Sequence, residues 1–165
     1  MHSYPVEYTC ESSIPNPVTG NPSGAASNEE LMMATLSETR RYNIVKAVTS
    51  GPLDVVHSWK AEEPKRLIRA VYFDEVTSLP DMEQLRQQFM SGRQGVLGEL
   101  AAQHARLSLN DSLFGPYLTL AEELDIPVGV HTGLRPAGTP CTCCPKFRVT
   151  YGNPVLIEEV LVKHQ

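Results

Sequence analysis

No part of this sequence holds an apolar run approaching the ~20 residues that a bilayer-spanning helix needs. The opening Met1-His2-Ser3-Tyr4-Pro5 has neither the basic start nor the apolar core of a secretory signal. The expected compartment is therefore the cytoplasm, with no membrane partner. A basic excess is also missing: 14 Lys and Arg stand against 19 Asp and Glu, for a formal charge of -5. The basic residues are scattered, which leaves no electrostatic footprint for nucleic acid. Cysteine is scarce and badly spaced for a disulfide framework: of 4 in the chain, those at Cys141, Cys143 and Cys144 are crowded together. They read as reduced thiols, and Cys-x-Cys-Cys lacks the spacing and second ligand pair of a structural zinc site. The dinucleotide fingerprint Gly-x-Gly-x-x-Gly is absent too, because Gly92, Gly95 and Gly98 have the wrong spacing. The sequon Asn110-Asp111-Ser112 carries no meaning without a secretory signal.

What remains is a chain of 165 residues with 41% apolar content, enough to bury one core. Residues 4–24 are rich in Pro, Gly, Ser, Thr and Asn, a composition that favours an irregular segment. Ser27-Asn28-Glu29-Glu30 fits a capping box opening a helix to about Tyr42, and Asn43 suits the left-handed position after it. The apolar, β-branched residues 44–49 predict a strand, and a helix is expected over 53–62. Pro64 ends that helix before a strand at 67–73. Asp81 precedes Met82, Leu85 and Phe89, which share one helical face, and Gly92 closes that helix. A strand is expected at 95–100, followed by a ten-residue loop. Leu113, Tyr117, Leu120, Ala121 and Leu124 then form an apolar stripe with Pro116 in the first turn, ahead of a buried strand at 126–133. Asn153-Pro154 starts a last helix through Lys163. Strands separated by single helices imply βαβ units and a parallel sheet.

In such a sheet the C-terminal strand ends share one edge, so polar residues there converge on one crevice. Ile126-Pro127-Val128-Gly129-Val130-His131 ends its apolar run in a histidine, and Glu99 interrupts an apolar strand between Gly98 and Leu100. A buried carboxylate needs a partner. A metal ion, or an arginine such as Arg69 or Arg106, would serve. His57, His104 and His164 do not fall at strand ends and read as surface or packing residues. The pairs Glu62-Glu63, Glu122-Glu123 and Glu158-Glu159 read as solvated helix faces.

Gly98-Glu99-Leu100, the strand 126–133 behind Leu120-Ala121-Glu122-Glu123-Leu124-Asp125, and Asn153-Pro154 with residues 158–164 together resemble the amidohydrolase-related family of metal-dependent hydrolases. The resemblance covers nearly the whole chain. It implies an α/β fold, a partial TIM (β/α)8 barrel comprising roughly the first five β/α units, as a single partial domain over residues 1–165. It also implies a divalent metal, expected to be zinc, at the C-terminal mouth of the barrel. By resemblance, His131 matches the fifth-strand histidine ligand, Glu99 a fourth-strand ligand, and His2 the second histidine of the first-strand pair, with Glu99 and His131 also the catalytic candidates. The partner of His2 would fall before Met1, and nothing here matches the sixth-strand histidine or eighth-strand aspartate, so a barrel truncated at both ends is expected. The implied activity is hydrolysis of a C-N or C-O bond in a small-molecule substrate by metal-activated water. Rival expectations are a decarboxylase using the same metal site, or a catalytically incomplete fragment that needs a second half-barrel. Exposed sheet edges would favour homo-oligomers.

Overall fold

The computed structural model describes residues 1, 3, 25, 27–73, 79–133 and 148–164. Two units divide the chain, Met1–Arg69 and Ala70–Gln165.

In the first unit, α1 (Asn28–Arg41) starts where the Ser27 side chain accepts a hydrogen bond from the Glu30 N–H at 3.1 Å. That bond satisfies one of the amides a helix N-terminus leaves without a partner. The helix stops as expected, with Asn43 at φ 53 in the left-handed region that asparagine tolerates. The strand expected over 44–49 shortens to β1 (Ala47–Thr49). Val45 is 69% exposed and Ile44 41%, so these β-branched residues lack the packing that gives β-propensity its force. After α2 (Leu53–Glu62), strand β2 (Leu67–Phe73) begins, its first residues parallel to β1 with Ala47 opposite Leu67. Leu36, Trp59 and Leu67 form the core of this unit, flanked by Leu31, Met32, Ala47 and Val55. Lys60 donates from Nζ to the carbonyls of Pro64 and Leu67, which ties α2 to the start of β2. Burial, then the neighbouring Arg69 and Lys46 charges, lowers the Lys60 pKa. Met1 and Ser3 dock on the end of β1: Ser50 N–H donates to Met1 O at 3.1 Å and Ser3 N–H to Ser50 O at 2.9 Å.

In the second unit, the rest of β2 pairs in parallel with β3 (Val96–Leu100), and β3 pairs in parallel with β4 (Val128–Val130). With β1, the strand order is β1-β2-β3-β4, a four-stranded parallel sheet in an α/β chain. Between β2 and β3 lies α3 (Met82–Met90), capped by Asp81 accepting from the Gln84 N–H at 2.9 Å. The expected loop after β3 contains a short 3-10 helix, Ala102–Ala105, and α4 (Gly115–Glu123) follows with Pro116 in its first turn. Strand β4 is shorter than expected and is not buried: Val128 is 38% exposed. It stands last in the strand order, with no described strand on its far side. The last helix is also shorter than expected. Asn153 accepts from the Val155 N–H at 3.1 Å, but the turn it caps is 3-10 (Pro154–Ile157) before α5 (Glu158–Lys163). The core gathers Phe73, Leu85, Phe89, Leu97, Leu100 and Leu120, among others.

Four glutamates of the pairs expected on solvated faces have side-chain partners. Glu63 meets Arg40 at 2.6 Å, Glu123 meets Arg86 at 2.6 Å, Glu122 meets His164 at 2.9 Å, and Glu159 accepts from Asn110 at 2.6 Å. Hydrogen bonding from Arg40 is the first cause holding the Glu63 carboxyl below its usual pKa. Residues 4–24 and all four cysteines, at 10, 141, 143 and 144, lie outside the described residues.

Removing the Ser27 hydroxyl in Ser27→Ala should cost about 1 kcal/mol, read as a lower urea midpoint with an unchanged slope. A second prediction concerns Tyr117, which packs edge-on against Phe73 and donates its hydroxyl to Pro80 O at 2.8 Å. Burial, with help from the Asp81 carboxylate, raises its pKa. The folded state then holds the phenolic proton more tightly than the unfolded chain, whose tyrosine titrates near ~10. The stability this contributes is complete below that pH and is lost as pH rises through the folded value. Tyr117→Phe should cost about 1 kcal/mol at neutral pH for the lost hydrogen bond. It should also flatten the stability loss at alkaline pH, which denaturant titrations at neutral pH and above pH 10 would show.

Candidate active site

The candidate site is built on an irregularity in β3. Leu97 to Leu100 on β3 faces Val71 to Phe73 on β2 and Val128 to Val130 on β4, so β3 holds one more residue than either neighbour over the same stretch. This is a β-bulge, which breaks the two-residue alternation of side chains and re-aims them. In a regular strand Glu99 would share the face of Leu97. Here Leu97 and Leu100 both lie in the core at 0% exposure, and Glu99 turns away from it, its side chain 26% exposed. The Gly98–Glu99 peptide is cis. Gly98 itself has φ 126, and a Cβ there would sit 2.3 Å from the Gly129 carbonyl oxygen on β4. Only glycine allows that backbone geometry and that approach.

His131 follows β4 directly and continues its pairing, donating its backbone N–H to Leu100 O at 3.0 Å. Glu99 and His131 therefore stand side by side at the C-terminal ends of adjacent parallel strands, and Glu99 Oε1 is in hydrogen-bond contact with His131 Nδ1. Among the described residues, Arg106 forms no ion pair with Glu99. With the carboxylate accepting from Nδ1–H, the imidazole keeps its lone pair on Nε2, the nitrogen then able to bind a metal or take a proton. The His131 side chain is 31% exposed, so this nitrogen belongs to an accessible group.

His104, read from the sequence as a packing residue, also belongs here. It lies in the 3-10 helix after β3, and its ring centroid is 4.8 Å from that of His131, tilted by 58°. The missed signal was its place in the connection leaving the C-terminal end of β3, the edge where site residues of parallel sheets gather. Gln103 beside it is only 1% exposed, and neither polar atom of its amide has a hydrogen-bond partner. Gly152 packs directly on that amide: a Cβ at 152 would lie 1.8 Å from Gln103 Oε1 and 2.9 Å from Gly133 O. Gly133 N–H in turn donates to Gly152 O at 3.3 Å. The turn after His131, the 3-10 helix bearing His104 and the turn Val149–Gly152 are thus brought together.

Glu99 and His131 supply the oxygen and nitrogen donors that zinc takes. Among the described residues there is no group of three or more His, Cys, Asp or Glu side chains that could hold a metal ion. His2 lies outside the described residues. Among the described residues no helix is long and apolar enough to cross a membrane. Compared with known proteins, the chain matches no family model and no curated protein.

Gly98→Ala should destabilise the protein by about 1–3 kcal/mol, because the added methyl meets the Gly129 carbonyl and the positive φ disfavours any side chain. Urea unfolding would measure the loss. A variant as stable as the parent would mean that β3 and β4 do not approach so closely.

Proposed function

We propose that the chain carries part of the site of a metal-dependent hydrolase of the amidohydrolase type, acting on a C-N or C-O bond of a small molecule. The observation that carries this reading is the Glu99–His131 pair at the C-terminal ends of neighbouring parallel strands. An accessible histidine whose tautomer is set by a carboxylate is a common way to present an imidazole to a divalent metal. Bound there, a divalent metal such as zinc would lower the pKa of a coordinated water to roughly 7 and polarise the substrate carbonyl. His131 is assigned as a ligand through Nε2. Glu99 is assigned either as a second ligand or as the acceptor that orients His131. His104, stacked at a tilt on His131, restricts the rotation of that ring.

Metal content separates these roles. Purified protein should bind zinc, and His131→Ala should lose it. Glu99→Gln should weaken zinc binding by about 10–100-fold if the carboxylate orients His131, and abolish it if the carboxylate is a ligand. Metal analysis after equilibrium dialysis would measure both. Equal zinc content in the parent and His131→Ala would defeat the proposal. Hydrolytic assays of the zinc-loaded protein should also follow carbon dioxide, since its release without hydrolysis would assign a decarboxylase.

A further inference from the structure

Of the described non-glycine residues with positive φ, Asn43 and Asp125 belong to the types that enter the left-handed region readily, but Arg106, at φ 63 and ψ 37, does not. Arg106 ends the 3-10 helix that bears His104, with its backbone N–H bonded to the carbonyls of Ala102 and Gln103. Glycine would fill this position at lower conformational cost. The presence of an arginine therefore points to a use for its side chain, and the surroundings suggest what that use is. Arg106 makes no ion pair among the described residues. It lines an open cleft of about 420 Å³ with Arg148, Thr150, Tyr151, Asn153 and Leu156, with no carboxylate among the described lining residues.

This volume is within the range of small-molecule sites, ~300–1,000 Å³. The lining residues combine guanidinium, hydroxyl and amide groups with the apolar Leu156 and the aromatic Tyr151. The cleft also adjoins the candidate active site along the chain. Arg106 lies just beyond His104, and Tyr151 just before Gly152, which bonds to Gly133 in the turn after His131.

We propose that this cleft binds the carboxylate of a small organic acid, with the anion on the Arg106 guanidinium and the apolar body against Leu156 and Tyr151. A planar guanidinium offers paired donors that match a carboxylate. The cleft's further role, selecting acidic substrates for the Glu99–His131 site, rests on the hydrolase reading; binding itself does not.

The test is calorimetric titration of the metal-free full chain with 4-phenylbutyrate, 4-phenylbutyramide and inorganic phosphate, repeated for Arg106→Gly and His131→Ala. The acid should bind at least about tenfold more tightly than the isosteric amide, as expected for a charge-assisted hydrogen bond. Arg106→Gly should lose that preference while its Tm stays unchanged or rises, because glycine relieves the left-handed backbone. A merely structural role for Arg106 would instead lower the Tm. His131→Ala should bind the acid as the parent does, even if it has lost zinc, which keeps a failure of the hydrolase reading distinct from a failure of this one. Equal binding of acid and amide, retention of the preference in Arg106→Gly, or phosphate binding as tight as that of the acid would each overturn the proposal.

Discussion

The candidate site depends on a single extra residue in β3. Parallel strands normally send successive side chains to opposite faces, and a carboxylate in phase with Leu97 would enter the core, where an unpaired charge is expensive. The bulge separates Leu97 and Leu100 by an odd interval while keeping both in the core. Glu99 is released to meet the histidine at the end of β4. The close approach of β3 to β4 that completes this arrangement is possible because Gly98 has no side chain. Backbone geometry and site chemistry are thus one problem at this place, solved by a Gly-Glu dipeptide.

Around this pair, the supports come from connections rather than strands. The 3-10 helix after β3 brings His104 to the His131 ring, and Gly152 lets the turn Val149–Gly152 pack on the buried Gln103 amide. Short 3-10 segments suit this task, since they reverse direction within a few residues and place side chains at tight intervals. The described chain therefore has a simple division of labour. Apolar residues of β2, β3 and α3 to α5 build the core of the second unit, while the segments leaving the ends of β3 and β4 carry His104, Arg106 and His131.

Elements defined by local chemistry were legible in the sequence. Ser27 and Asp81 cap their helices with side-chain oxygens, Asn43 takes the left-handed turn, Pro64 separates α2 from β2, and strands alternate with helices into a parallel sheet. The errors fall where tertiary packing decides. Ile44 and Val45 have strand-like side chains but are exposed, and the apolar run at Val128 borders the sheet rather than filling it. For the site, Glu99 and His131 stood out because each interrupts an apolar run at a strand end. Their mutual contact depends on the bulge, which is a relation between three strands and leaves no mark in one of them. His104 was missed for a similar reason: its value lies in proximity to a residue far along the chain.

The shift of phase within β3 also bears on how such a site can change over evolutionary time. Leu97 and Leu100 belong to the core and Glu99 does not, so position 99 can be exchanged with little disturbance to the packing on which folding relies. One strand thereby holds a constrained part and a variable part in adjacent positions. New chemistry can be tried at the variable part by point substitution, without the compensating changes that a core residue would demand.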